Sequence, residues 1–494
     1  MNLRLRLFAF LALTYVATLG GHVYSGDELM MVRGTEAIVA RGDLSVRTIA
    51  NFEDYATVSG ADGRPYTWYG LGLSLAAIPF YAAGMALEQA VPQEGLAAFS
   101  DPKILYYDRN DRAEVIRTFA ATWVNPIVTA LTVVLLVQVL AGLGVPAGFA
   151  VGWGLAFGLT GVTWFYAKTF FSEPLSALAF TGGLAAWQRM RRDDRGALPW
   201  AFLTGLSLGG AILARVPNGA FLLPAGIMFL AERVRARPRD GGWKPVLAPC
   251  GASAGGVAIP LLVVGAYNAL RFGDVLTTGY CPRAGEFKGD FLDGFLGLSI
   301  GPGRGFLWYF PWVLLAVPGL ALLFRRDRAT ALYCGGAFAV LWLMYSLWTQ
   351  WDGGWVYGPR FLVPAFPLLA VAAGVAAWEW WRRAWGKVVI LCIGTASLAM
   401  AVQSVQVNFV DFHYALWQST TDVASTIRWS WDWSPMLRYW DFPVRGFMIM
   451  PRLALGEGGA ALAVLAWLVA TGWLASLVAL LRGLLRGRVP PSGA

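Results

Sequence analysis

Apolar residues recur along this chain in runs of about twenty, the length needed to cross a bilayer as a helix. The runs cover residues 3–20, 66–88, 113–143, 146–167, 172–190, 198–214, 217–232, 246–268, 306–324, 329–347, 361–380, 388–405 and 456–481. Between them, short basic stretches alternate with longer stretches rich in Trp, Pro and Gly. The basic ones are Arg189 to Arg195, Arg233 to Lys244, Arg325 to Arg328, Arg382 to Lys387 and Arg482 to Arg488. Positively charged loops stay on the cytoplasmic side, so this alternation predicts an all-α polytopic integral membrane protein in the cytoplasmic (inner) membrane. Arg4 and Arg6 place the N-terminus with the basic loops, and the C-terminus falls on the same side.

From residue 172 onward the alternation is self-consistent, but the front of the chain breaks it. If 21–65 and 168–173 both lie outside, an even number of crossings must separate them, yet three apolar segments intervene. One of 66–88, 113–143 and 146–167 is therefore re-entrant, interfacial or split, and Pro126 inside the longest run is the expected break. The total is expected to be even, about twelve to fourteen transmembrane helices. The first run has the charged start of a signal peptide without a small-x-small cleavage site, which reads as a retained signal-anchor.

Composition agrees with the pattern. The chain of 494 residues is 57% hydrophobic and 14% charged, against about a quarter charged in soluble domains. Its mean hydropathy is +0.54. The net charge of +9 sits in short loops and does not indicate nucleic-acid binding. Cys334 and Cys392 fall in spans, Cys250 near the inner end of one and Cys281 in an outer loop, so no disulfide framework is implied. His22 and His413 have no Cys or acidic residues at metal-ligand spacing, and no zinc site is expected.

Chemistry is expected in the outer loops. Asp27-Glu28 opens the long first loop, 21–65, and the residues to Ile38 carry apolar side chains at helical spacing. That predicts an interfacial helix with two carboxylates at its start, where the dipole keeps them ionised and able to act as bases. Arg64, followed by Tyr66, Trp68 and Tyr69 before the next span, suits a lipid phosphate and its first isoprenes; an interfacial aromatic belt explains the rings equally well. Glu173, between two apolar runs in Phe170-Phe171-Ser172-Glu173-Pro174, is costly without a partner or a role. Ser172 and Pro174 there also read as the start of a helix.

Arg215-Val216-Pro217-Asn218 and the segment from Tyr267 to Asp274 are further outer-face signals. The strongest is Trp351-Asp352-Gly353-Gly354-Trp355-Val356-Tyr357-Gly358-Pro359-Arg360. Its glycines let backbone approach a ligand, its aromatic faces suit sugar rings, and Arg360 can pair with phosphate. Trp351, Asp352, Trp355 and Tyr357 are the sugar- or acceptor-binding candidates there. Arg304 among Gly301, Gly303 and Gly305 matches neither the Walker nor the dinucleotide spacing, and an ATP site is rejected. The Trp417–Trp440 stretch is either a lid or platform for an acceptor or a structural interfacial loop.

Asp27-Glu28 followed by Ala37, Gly42-Asp43-Leu44, Arg64-Pro65, Arg117 and Glu173-Pro174 resembles the GT-C class of membrane glycosyltransferases. In that class it is similar to the protein O-mannosyltransferase and lipid A aminoarabinose transferase group over residues 1–220. Tyr267-Asn268, Arg271-Phe272-Gly273 and Gly358-Pro359-Arg360-Phe361 resemble bacterial members of the same class. The resemblance implies a catalytic membrane module over 1–220, with further helices and outer loops 268–305, 348–360 and 406–453 over 221–494. It implies inverting transfer of a sugar from a polyprenyl-phosphate carrier to a lipid, glycan or protein hydroxyl on the outer face. Asp27 would be the base. Glu28 and Glu173 would orient the acceptor, and where the enzyme uses a divalent metal ion, Asp27 and Glu173 would hold it. Arg64, Arg117, Arg215 and Arg360, with Tyr66, would bind the donor phosphate and lipid.

Two features depart from that group: the chain has no soluble domain beyond 406–453, and its second acidic position is Glu where Asp is common. The rival readings are a flippase or transporter of lipid-linked sugars and an O-antigen ligase or polymerase-like enzyme. A flippase should carry ionisable groups inside its spans.

Overall fold

The computed structural model describes residues 2–49, 53–99, 108, 110–192, 196–237, 242–280, 285–442 and 448–486; Cys281 lies outside them. The protein is an all-α membrane bundle. Its helices are α1 (Leu3–Ala17), α2 (Gly26–Glu36), α3 (Gly72–Leu87), α4 (Arg112–Ala121), α5 (Val124–Gly142), α6 (Ala147–Gly158), α7 (Thr163–Ala167), α8 (Glu173–Met190), α9 (Ala197–Ala214), α10 (Leu222–Arg235) and α11 (Lys244–Phe272). They continue as α12 (Phe291–Ile300), α13 (Phe306–Tyr309), α14 (Val313–Arg326), α15 (Arg328–Ser346), α16 (Phe366–Trp381) and α17 (Ala384–Gln406). The chain closes with α18 (Phe409–Ser419), α19 (Val423–Trp429), α20 (Pro435–Arg438), α21 (Ile449–Ala454) and α22 (Ala460–Arg486). A small hairpin, β1 (Thr57–Ser59) paired antiparallel with β2 (Pro65–Thr67), lies in the first long loop.

Each apolar run of the sequence falls on helix. Among the described residues 7 helical stretches are long and apolar enough to cross a membrane by length and composition. They do not include α1, α3, α6, α8, α10 or α14, so only part of the expected set of about twelve to fourteen meets both measures.

Small residues bring the spans together. Gly205 of α9 lies against the backbone of Ser253 in α11, and Gly256 of α11 against Phe202, so neither position has room for a side chain. Close backbone approach of this kind replaces the hydrophobic drive that lipid cannot supply. The stretch from Arg360 to Ala377 is buried throughout and forms the centre of the bundle, and Gly319 of α14 sits against its Ala372 carbonyl. At the basic end Arg191 joins Glu232 at 2.7 Å and Asp327 at 2.9 Å, tying together α8, α10 and the α14–α15 corner.

The front of the chain resolves its crossing count in an unexpected way. The long run does break before Pro126: α4 ends at Ala121 and α5 starts at Val124. The proline ring meets the carbonyl four residues back, at Thr122, where the helix gives way. Residues 146–167 are also split, into α6 and α7. The segment that stays at one end, however, is α3. Its start abuts Leu213 and Ala214 at the end of α9 through Gly70 and Gly72. At its other end Gly84 rests on Ile116 and Arg117 of α4, and Glu88 pairs with Arg117. Both neighbours belong to the end of the bundle opposite the basic loops, whereas the far end of α5 meets Arg192 through the Gly142 carbonyl. With α3 lying along one end, two crossings remain between 21–65 and 168–173, as the parity of the loops requires.

In a cysteine-free background, single cysteines at Gly63 and Gln93, both exposed and flanking α3, are expected to react with a membrane-impermeant maleimide from the same side. Labelling from opposite sides would make α3 a span.

Candidate active site

Helix α2 begins as its sequence directs. Ser25 is the N-cap, its hydroxyl accepting the Glu28 N–H at 3.3 Å, and Glu28 stands three residues on, as in a capping box. The second half of that box is diverted. One Glu28 oxygen accepts from the Ser25 hydroxyl at 3.4 Å, while the other accepts the Phe170 N–H at 2.9 Å, fastening α2 to the turn before α8. That turn is held from its other side by Asn125, whose side-chain amide donates to the carbonyls of Thr169 (2.6 Å) and Phe171 (2.8 Å). At the first position of α2, Gly26 is required, because any side chain there would strike the ring of Tyr55.

These supports bring two carboxylates and two guanidinia together. Arg360 donates through Nη1 to Asp27 Oδ2 at 2.9 Å and through Nε to Glu173 Oε1 at 2.7 Å. Arg215 bonds the same Glu173 oxygen. Tyr55 donates its hydroxyl to Asp27 Oδ1 at 2.7 Å. The arginines also lie over aromatic faces, Arg360 at 4.1 Å from the Phe171 ring centre and Arg215 at 4.5 Å from that of Phe361. Two buried polar atoms are left without a protein partner, Arg215 Nε and Glu173 Oε2.

The cluster borders a cavity of about 500 Å³. Asp27, Arg215 and Arg360 line it, with Tyr55, Trp68, Tyr69, Tyr280, Trp348 and Trp355 among its aromatic walls. Burial pushes the Asp27 carboxyl upward, but the Arg360 charge and hydrogen bond, with the hydroxyls of Tyr55 and Tyr69, outweigh it and hold Asp27 below its usual value. Glu28 behaves in the opposite way: full burial pushes it up to about 8, despite the Phe170 N–H. Adjacent acids thus carry different charge at neutral pH, Asp27 ionised and Glu28 neutral.

The structure gathers some of the residues singled out in sequence and separates others. Asp27, Arg215, Arg360 and Trp355 line the cavity. Glu173 is fully buried behind it, holding both arginines, and Glu28 is fully buried against the α8 turn, so neither lines it. Arg64 is 53% exposed and paired with Asp43 and Asp62 outside the cavity. Tyr66 is buried in β2 of the hairpin, its hydroxyl donating to Asp62 at 2.9 Å. Arg117 is paired with Glu88 and lines a separate cavity of about 300 Å³ where Arg33, Arg41 and Arg47 face Glu36, Asp111 and Glu114. Trp351 is buried with its indole N–H on Asp293 at 2.8 Å, Asp352 binds Arg428 at 2.7 Å, and the buried Tyr357 donates to the Met400 carbonyl at 3.1 Å. A metal shared by Asp27 and Glu173 does not fit, because the Arg360 guanidinium bonds both carboxylates. Among the described residues no three His, Cys, Asp or Glu side chains gather at metal-binding distance. Tyr55, Asn125, Trp348 and Tyr280 carried no signal in the sequence.

No family model and no curated protein matches the sequence. Among solved structures, the chain is similar to ArnT from Cupriavidus metallidurans bound to undecaprenyl phosphate, with a TM-score of 0.50 at 17% identity, over 98% of this chain and 77% of that one. It is also similar to the Archaeoglobus fulgidus oligosaccharyltransferase in complex with Zn and sulfate, with a TM-score of 0.52 at 12% identity, over 90% of this chain and 57% of that one. The fold is therefore that of the GT-C membrane glycosyltransferases, in line with the resemblance carried by the sequence motifs.

Glu28 gives the cluster a pH signature. Its proton is retained in the folded state up to about pH 8 and released in the unfolded chain near 4.5, so its contribution makes stability fall as pH rises between those values and level off above them. Glu28→Gln, an isostere of the neutral acid, is expected to remove that slope. Thermal denaturation of the purified protein should show the variant gaining on wild type from pH 5 to pH 8, and a constant difference would mean that Glu28 is ionised in the fold.

Proposed function

We propose that the protein is an inverting glycosyltransferase that moves a sugar from a polyprenyl-phosphate carrier to an acceptor hydroxyl. The reaction takes place at the outer face of the cytoplasmic membrane, with both termini cytoplasmic. The observation that carries the reading is the convergence of one ionised carboxylate, Asp27, with two guanidinia, Arg215 and Arg360, at an aromatic-walled cavity at the end of the bundle away from the basic loops. The GT-C fold supports it, as does the undecaprenyl phosphate bound by one of the similar structures.

The phosphate of the donor would lie against Arg215 and Arg360. Arg215 has an unused buried N–H for it, and Arg360 can exchange part of its bond to Asp27 for a phosphate oxygen. As the acceptor oxygen attacks the anomeric carbon, its proton passes to Asp27. The bond from that carbon to the phosphate oxygen breaks, and the carrier leaves as polyprenyl phosphate with its charge matched by the two arginines. A carboxylate held below its usual pKa is a weak base, so proton transfer is late and accompanies bond formation. Most of the acceleration then comes from positioning and fixed charge. Glu173 keeps both guanidinia in place and, with Asp27, balances their charge. The acceptor is a lipid, glycan or protein hydroxyl small enough to reach Asp27 past Tyr55 and Tyr69.

A panel of radiolabelled polyprenyl-phosphate sugars, offered in proteoliposomes with membrane extract, tests the reading. Asp27→Asn keeps the shape of the side chain and is expected to slow transfer about 10²–10⁴-fold with the carrier still bound. Full activity in that variant would remove Asp27 as the base. Labelled lipid crossing the bilayer with no donor consumed would establish a flippase instead.

A further inference from the structure

The loop that carries Trp355 and Arg360 into the cavity makes short turns of its own and is braced from outside. Gly353 and Gly354 both adopt left-handed backbone, at φ 76° and 73°. The brace comes from behind. Arg304, fully buried, donates through Nε to the Asp352 carbonyl at 2.6 Å and through Nη2 to the Gly354 carbonyl at 2.7 Å. Arg428 bonds the Asp352 carboxylate at 2.7 Å. Trp355 itself stacks on His413 of α18, ring centres 5.6 Å apart and planes within 21°.

The His413 ring is fixed on every side. Its Nδ1 is 2.7 Å from the Phe409 carbonyl, which can only accept, so that nitrogen carries the proton. Its Nε2 is then the acceptor that faces Arg304 Nη2 at 3.4 Å. Phe412 and Phe409 meet the ring edge-on. Burial and the Arg304 charge push its pKa down to about 3, so the ring is neutral wherever the protein works. Neither His413 nor Arg304 lines the cavity.

We propose that His413, held by Arg304, is a positioning residue that determines sugar specificity. It sets the plane of Trp355, and the other face of that indole stacks on the sugar of the donor. This rests on the donor reading above. The division of labour is spatial: Arg215 and Arg360 recognise the phosphate common to all carriers, while Trp355, oriented from α18, recognises the group attached to it. An aromatic wall contributes contact only when its plane is preset, and an indole free to swing loses that advantage.

The test compares binding of undecaprenyl phosphate alone with binding of undecaprenyl-phosphate-linked hexoses and pentoses to the full-length protein in detergent. His413→Ala is expected to weaken binding of the best glycosylated lipid about three- to tenfold while binding of the bare lipid is unchanged, and to flatten the preference among sugars. His413→Phe, which restores a stacking ring, should recover most of the loss. Trp355→Leu, which leaves the buried ring untouched, should reproduce the His413→Ala pattern even if that variant folds poorly. Equal weakening of bare and glycosylated lipids, or no change in either, would overturn the assignment to His413. Failure of the wild type to bind either lipid would instead overturn the donor reading and this inference with it.

Discussion

One guanidinium organises the centre of this molecule. Arg360 lies at the head of the most buried span and reaches Asp27 from one nitrogen and Glu173 from another. Those partners are 333 and 187 residues away in the chain. Removing any one member of such a cluster leaves an uncompensated charge in a dry setting, which costs about 3–5 kcal/mol. The first loop, α8, the end of α9 and the loop before α16 therefore have to arrive together. An apolar bundle in lipid has little to fix the relative height of its helices, since sliding one past another exchanges one greasy contact for a similar one. Ionic pairs at the ends supply that register. The Arg191–Glu232–Asp327 group does the same at the basic end.

The same constraint explains why neighbouring acids differ. Asp27 and Glu28 sit on one turn of helix, but only Asp27 meets Arg360; Glu28 points into protein, with the backbone N–H groups of Phe170 and Tyr24 and the Ser25 hydroxyl but no cation on its carboxyl, and stays protonated. A second ionised carboxylate there would compete for the guanidinium and raise the cost of burial. The neutral acid instead serves as a clamp between α2 and the α8 turn, and that clamp fixes how far Asp27 projects into the cavity.

Much of this could be read from the chain. Apolar length marks spans because lipid allows little else, and the apolar spacing after Asp27-Glu28 marks α2 because helical periodicity is local. Glu173, Arg215 and Arg360 stood out since each is a charge beside a span with no room for solvation, and all three meet in the fold. Arg64 and Arg117 look alike in one dimension. Their fates are set by the β1–β2 hairpin, which offers Arg64 its Asp62 partner, and by the direction of α3, which carries Glu88 to Arg117. Neither is encoded at the arginine. His413 and Arg304 can be noticed in the sequence, but their contacts with the Trp355 loop are not legible there, because that loop comes from elsewhere in the chain.

The placement of charge also bears on transport against transfer. A headgroup carried through the bundle would need polar stations near mid-membrane, where an unpaired phosphate is most costly. Helices α5 and α9 contain no ionisable residue, and α16 has none from Phe366 to Ala377. Arg215 and Arg360 stand at the margin of that apolar wall, with Asp27 beyond them. In the proposed reading a lipid phosphate arriving there from the adjacent leaflet meets cations and aromatic surface, and the helices below offer hydroxyls and amides, such as Thr129, Thr132 and Asn218, but no further charge. In the proposed transfer the phosphate stays at one end of the bundle, beside Arg215 and Arg360, where an acceptor can meet the sugar.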